Sequence, residues 1–422
     1  MISRRGFIKT TAATAISAPL MAKAAKPISQ NSADGGASDE AYWQDVASHF
    51  PTTDGVINLE NGYWGIMAKP VLDDYQKWTE QINFHNTHYA RNKFYDDMQG
   101  VMQKVAAFMG VDVDEIAYTR GATEALQNLI AGYNQLQPGD AVLYADLDYG
   151  EMKINMRWLE QYRGVEVIKI NIPEPATKDN VLAVYQKAFE QHPNIKMALL
   201  THVNNHTGLL MPIKEINQLA KQHGIETILD AAHSIGQVDF DVRDLGSDYI
   251  GFNFHKWIGA PVGCGIMYIK KDKISHIDTY MGEPDHGRIQ NRVVTGTTNF
   301  AAVLTMPKAI DFHQGITSAR KQKRLKYLRD LWVNEVRDLE QIQVLTPNDD
   351  DMVAALTSFR IRGAVTTEEN NALVKRLLND YGILSVRRTA PALGDCVRIT
   401  PSLYNGPDDV YALAKALRDI VI

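Results

Sequence analysis

The stretch Tyr249-Ile250-Gly251-Phe252-Asn253-Phe254-His255-Lys256-Trp257-Ile258-Gly259, followed by Ala260-Pro261-Val262-Gly263-Cys264-Gly265, sets a lysine between an apolar run and a Gly/Pro-rich turn. A short apolar run bounded by turn residues reads as a buried strand. Lysines sit mostly on surfaces, and Lys256 taken alone would be one more of them. At the end of a buried strand it reads differently. A desolvated amine there can condense with an aldehyde and then serve as a general base.

Working outward, Thr227-Ile228-Leu229-Asp230-Ala231-Ala232-His233 is an apolar strand that ends in a carboxylate. Asp230 is either a helix N-cap or the acid that a pyridoxal-type ring needs. Placed ~4–6 Å from the ring nitrogen, such an acid favours the protonated ring by about 1.4–4 kcal/mol. Further upstream, Tyr118-Thr119-Arg120-Gly121-Ala122-Thr123-Glu124-Ala125-Leu126 closes one strand and opens a helix. Small residues there let backbone N–H groups and the helix dipole meet a phosphate, although Gly- and Thr-rich turns also serve packing alone. In Thr201-His202-Val203-Asn204-Asn205-His206-Thr207-Gly208 an amide side chain can bond a phenolic oxygen or a substrate carboxylate, or simply shape a turn.

Apolar runs recur at 115–119, 141–144, 165–170, 195–201, 226–230, 249–253 and 265–269, mostly with helical-period or loop segments between them. That alternation predicts an α/β layered domain with a mainly parallel sheet, its functional loops at the carboxyl ends of the strands. After Phe300 a long helical stretch, Ala302–Leu345, carries Arg320, Lys321, Lys323, Arg324 and Lys326 on what reads as a solvated face. The expected division is a leader at 1–24, a flexible lead at 25–44, an N-terminal segment at 45–75, a large domain at 76–308 and a small α+β domain at 309–422. Cys264 and Cys396, the only cysteines, read as buried thiols. His85 and His88 lack a third ligand at suggestive spacing, so no metal is expected.

The 422 residues are 45% hydrophobic and 22% charged, which excludes disordered and fibrous classes. A formal charge of −6 without a long basic stretch gives nucleic acid nothing to bind. Ser3-Arg4-Arg5-Gly6-Phe7-Ile8-Lys9, a mildly apolar run to Leu20, and Ala22-Lys23-Ala24 read as a twin-arginine export signal. The run is too short and Thr-rich to span a bilayer, so stable membrane insertion is not expected. Cleavage after residue 24 removes four positive charges and moves the formal charge from −6 to −10. An acidic periplasmic protein, exported folded by the twin-arginine translocase, is the expectation.

In this order the segments resemble class V aminotransferases, the fold-type-I group that includes cysteine desulfurases, kynureninases and isopenicillin N epimerases. The likeness runs from about Ile57 to the C-terminus. The Asp230-Ala231-Ala232-His233 wording and Ile57-Asn58-Leu59-Glu60-Asn61-Gly62 are most similar to the epimerase branch. The resemblance implies pyridoxal 5′-phosphate and a large domain with a mainly parallel seven-stranded sheet. By it, Lys256 would hold the cofactor covalently, Asp230 would pair with the pyridinium, and His233 and Asn205 would lie on its phenolic side. Gly121, Ala122 and Thr123 would bind phosphate with help from His255, and Tyr149 would stack on the ring. Gly296 and Thr297 resemble the loop that reaches a partner subunit's phosphate, which implies a homodimer. Arg398, in Val397-Arg398-Ile399-Thr400-Pro401, matches the arginine that clamps a substrate carboxylate; the other reading is a structural arginine between the domains.

Two departures stand out. Asn253 occupies the position where the family commonly has a phosphate-binding Ser or Thr, and neither cysteine lies on a mobile loop suited to sulfur mobilisation. The resulting expectation is an aminotransferase acting at the α-carbon of an amino acid, or of such a moiety in a secreted peptide or siderophore. An epimerase of the isopenicillin N type is the alternative, and a binding protein that kept the fold without the chemistry is the third reading.

Overall fold

The structure is a computed structural model and describes residues 36–294 and 296–421. The expected export signal at 1–24 and the lead up to residue 35 lie outside the described residues. Helix α1 (Glu40–Ala47), strand β1 (Ile57–Asn58) and helices α2 (Lys69–Asn92) and α3 (Phe94–Met109) precede the main sheet. That sheet's strands are β2 (Ile116–Thr119), β3 (Ala141–Ala145), β4 (Glu166–Ile170), β5 (Ile195–Thr201), β6 (Glu226–Ala231), β7 (Tyr249–Asn253) and β8 (Gly265–Ile269). Between them run α4 (Ala122–Gly132), α5 (Gly150–Arg163), α6 (Lys178–Gln191) and α7 (Ile213–Gln222).

The seven strands lie in the order β2-β8-β7-β6-β5-β3-β4. Only β8 runs antiparallel to its neighbours, so the sheet is mainly parallel as expected. Strands buried on both faces read as continuous apolar runs, and β3, β7 and β8 are buried along their whole length. Register then brings the chemistry together. Thr201 faces Asp230 across β5 and β6, Asp230 faces Gly251, and Gly265 pairs with both Asn253 and Thr119. Gly265 has to be small, because a Cβ there would stand 2.4 Å from the Gly121 Cα. The chain leaves β3 outward to β4 and returns on β3's other side as β5, so the loops after β3 and β5 part and open a crevice.

Helices α8 (Phe300–Ile316) and α9 (Ser318–Val336) lead into β9 (Ile342–Val344), β10 (Thr357–Ile361), α10 (Thr367–Tyr381), β11 (Ile383–Leu384), β12 (Val386–Arg388), β13 (Cys396–Ile399) and α11 (Pro407–Val421). The order β12-β13-β10-β9 makes a small antiparallel sheet with its own core, built around Trp332, Phe359, Leu377 and Leu413.

Four expectations are corrected here. The lead is not flexible to residue 44: α1 starts at Glu40, capped by Asp39, and buries Trp43 to 1% exposure. The 302–345 stretch is not one helix, because Thr317 takes φ 79 and splits α8 from α9. A domain boundary at 308 falls inside α8, whose Val303, Met306 and Ile310 belong to the large core. The basic run on α9 is not wholly solvated: Lys321 and Arg324 are buried. The Lys321 Nζ donates to the Trp257 carbonyl, and the Arg324 fork grips Glu40 across 2.5 and 2.9 Å.

Candidate active site

A cleft of about 520 Å³ opens at the carboxyl ends of β5, β6 and β7. Of the sequence-predicted residues, Gly121, Ala122, Thr123, Tyr149, Asn205, Asp230, His233, His255, Lys256 and Arg398 all line it. Gly296 and Thr297 do not. They are exposed on the surface, outside this cleft.

Lys256 follows β7 in a turn that Lys321 and His233 hold through Trp257. The Trp257 indole N–H donates to His233 Nδ1 at 3.3 Å, so a neutral His233 carries its proton on Nε2. Nε2 lies 2.9 Å from Lys256 Nζ. Burial pushes the Lys256 amine down to about 8, with Asp230 opposing and Arg398 and Arg388 adding to the fall. Burial also holds His233 well below its ordinary value. Above about pH 8, where the amine gives up its proton, the pair reads as an imidazole N–H donating to a neutral amine, which is the form a nucleophile needs.

Asp230 ends β6 at 5% exposure and accepts one backbone N–H, from Ala232 at 2.9 Å. Burial raises its pKa, with Lys256 as the only charged group opposing the rise. A buried carboxylate so thinly partnered has capacity left for a cation in the cleft. Asn205 Oδ1 is likewise buried without a partner, which leaves it free to accept from a bound hydroxyl.

The phosphate cradle differs from expectation at one contact. The Ala122 N–H already donates to Asn253 Oδ1 at 2.7 Å, so Ala122 does not offer it to an anion. The same contact explains why asparagine stands at 253: its amide oxygen caps the α4 N-terminus from the end of β7. Thr123 and the dipole of α4 remain. His255 is fixed by Nδ1, 2.9 Å from the Cys264 carbonyl, and burial lowers its pKa to about 4. A dianion beside it would raise that value again.

Two residues that the sequence reading did not single out bear on the cleft through the side chains that line it. Glu60, just past β1, receives the Arg398 Nη2 at 2.6 and 2.9 Å. Arg388, on β12, also lines the cleft, and its pKa falls to about 10 through burial and the neighbouring Arg398. Asp148 is a third: at 2% exposure it accepts from Thr201 Oγ1 at 2.6 Å, and burial raises it to about 7. Among the described residues no cluster of three metal-ligating side chains occurs, and no helix is long and apolar enough to cross a membrane.

A buried lysine at a strand end, an acid on the adjacent strand, an unpartnered amide and a helix N-terminus fit pyridoxal phosphate on a fold-type-I scaffold. The comparisons give the family. The Aminotransferase class-V model matches residues 66–413, and the chain belongs to that family, with pyridoxal phosphate as its cofactor. A putative L-cysteine desulfhydrase 1 of Oryza sativa subsp. japonica is 25% identical, covering 87% of this chain and 83% of the relative. The isopenicillin N epimerase of Amycolatopsis lactamdurans is 24% identical, covering 90% and 98%. A solved lysine-to-alanine mutant of C-DES, with glycine covalently linked to the PLP cofactor, has TM-score 0.78 at 20% identity, covering 88% and 98%.

Proposed function

We propose that this class V enzyme is an aminotransferase working at the α-carbon of an amine-bearing substrate. The observation that carries the reading is the cleft's distribution of proton affinity. Lys256 is held to about 8, while burial takes His255 to about 4 and holds His233 well below its ordinary value. One group near neutrality serves one face. Pyridoxal phosphate, when bound, supplies a ring that stores the electron pair left at the α-carbon. Lys256 Nζ would take the α-proton and deliver it on the same face to the cofactor's C4′ carbon, while Asp230 would keep the ring nitrogen protonated. Epimerisation needs a second acid on the opposite face, and Tyr149, whose pKa burial raises, is the weaker candidate for it.

The relatives' names bring in carbon–sulfur cleavage, which needs the same proton removal and a β-sulfur on the substrate. A route through a protein-bound persulfide has poor support, since Cys264 and Cys396 are both buried and burial raises both thiols, Cys396 to about 12. Elimination needs no such thiol and is the second reading.

The test is the absorption spectrum of the purified holoprotein, mixed with L- and D-amino acids and with cysteine. Stoichiometric keto acid with loss of the cofactor's lysine-bound band supports transamination. A stable band with α-proton exchange supports epimerisation, and sulfide release supports cleavage. Lys256→Ala should lose the covalent band and reduce turnover by about 10²–10⁴-fold. Retained turnover in that variant would remove Lys256 from the reaction.

The setting of the reaction is proposed as well. Arg4 and Arg5 with the following apolar run support export to the periplasm, where an amino-acid moiety of a secreted peptide or siderophore would be the substrate. Exposure of Gly296 and Thr297 supports a homodimer in which that loop serves the partner's cleft. Cell fractionation, the solution mass and the secreted profile of a deletion strain test the three parts separately.

A further inference from the structure

The proton-transfer chemistry leaves Glu60 without a part. Arg398 is fully buried, its Nη2 donates to both Glu60 oxygens, its Nη1 donates to the Asn205 carbonyl at 2.8 Å, and its Nε has no partner. The fork that would hold a carboxylate is therefore filled from within the chain. The guanidinium also cannot swing toward Gly62, where even a Cβ would stand 2.3 Å from Nη2.

Arg388 comes from the adjacent strand, since β12 pairs with β13 through Val386 opposite Arg398. Its Nη2 lies 3.5 Å from Glu60 Oε1 and its Nε is buried without a partner. One carboxylate thus faces two guanidiniums, and one positive charge is left over. At 24% side-chain exposure against 1% for Arg398, Arg388 is the one nearer the mouth.

We propose that Glu60 is a specificity residue: it retains Arg398 as its own partner, so the substrate's acid group is taken by Arg388. A carboxylate on the reacting carbon, brought to Arg398, would stand beside Glu60 and be repelled, and an unfavourable like-charge contact is a direct way to reject a competitor. Displacing Glu60 is costly too, because it would leave a half-buried carboxylate and the fully buried Arg398 without their main partners. The substrate class that fits is an amine whose acid group lies several bonds from the reacting carbon. Amino acids whose only acid is the α-carboxylate are selected against. This inference rests on the amine chemistry proposed above.

The experiment titrates the holoprotein with L-alanine, L-alaninamide and 4-aminobutanoate, following the cofactor band. Wild type should bind alanine about tenfold more weakly than alaninamide and bind 4-aminobutanoate about tenfold tighter than alanine. Glu60→Gln keeps an oxygen for Arg398 but removes the charge, and should tighten alanine about tenfold while leaving alaninamide unchanged. Arg388→Met should weaken 4-aminobutanoate about tenfold and leave alaninamide alone. A wild type that prefers alanine to alaninamide by about tenfold, with no gain in Glu60→Gln, overturns the proposal.

Calorimetric titration with acetate reads the guanidiniums without any amine chemistry. Acetate should bind wild type, bind Glu60→Gln about tenfold tighter, and be lost in Arg388→Met. Equal acetate affinity in all three overturns the proposal. Spectra that respond to no amine, with the acetate pattern intact, would instead sink the proposed function.

Discussion

Asp230 meets one backbone N–H and sits at 5% exposure, so its charge is the least compensated in the cleft. Asp230→Asn preserves an acceptor for the Ala232 N–H and removes only that charge. Cofactor binding should survive while kcat/KM falls by about 10- to 10³-fold, matching the ~1.4–4 kcal/mol an acid at the ring nitrogen supplies. Steady-state kinetics of the saturated variant checks it, and an unchanged rate would mean that the ring nitrogen needs no acid here. Asp230 and Lys256 were legible because each ends an apolar run, a pattern local in sequence. Glu60 and Arg388 were not. Glu60 lies just past a two-residue strand and Arg388 in a three-residue one, and their side chains meet across 328 positions of the chain. The Ala122 contact was missed for a similar reason, because whether Asn253 faces an anion or a backbone N–H depends on the register of β7 against the α4 turn.

Helix α1 shows what happens to an element whose reason for folding lies elsewhere. Its eight residues are too few to hold a helix unaided. Trp43 at 1% exposure and the Arg324 pair with Glu40 provide the anchorage, from a helix nearly 300 positions away. An Ala-, Ser- and Gly-rich approach gives no hint of this, so the lead read as flexible too far. Trp43→Ala should destabilise the protein by about 3–5 kcal/mol, read from the denaturant midpoint; a change under ~1 kcal/mol would mean that α1 is only peripheral. The α8–α9 break was hidden differently. Both helices keep helical periodicity up to Thr317, and nothing in a threonine announces φ 79. The main-sheet strands, by contrast, were readable to within a residue or two, because burial on both faces makes the inner ones near-continuous apolar runs, with only the edge strand β4 half exposed.

Across the whole molecule, buried bases outnumber the partners that would keep them charged, and this sets how stability follows pH. Burial depresses His202 and His255 to about 4 and His206 to about 3, and pushes His233 and His313 down as well. Between those values and 6.5 the unfolded chain binds protons that the folded one refuses, so these five histidines lose stability as pH falls. Asp148, raised to about 7, works against them: its folded form keeps a proton that the unfolded chain has released above 3.8. Above pH 7 both effects are spent. Lys256 and Lys321, lowered by burial from 10.5 to about 8 and about 7, then hold fewer protons folded than unfolded, so stability climbs with pH. The climb ends near 9, where unfolded cysteines ionise while burial keeps Cys264 and Cys396 protonated in the fold. The cofactor-free protein should therefore be more stable at pH 9 than at pH 7, each lysine contributing ~1–2 kcal/mol of the difference. Lys321→Met should remove its share and flatten the rise, as read from denaturant midpoints at the two pH values. A slope unchanged by that substitution would mean that Lys321 is charged in the folded state, with the Trp257 carbonyl stabilising an ammonium rather than an amine.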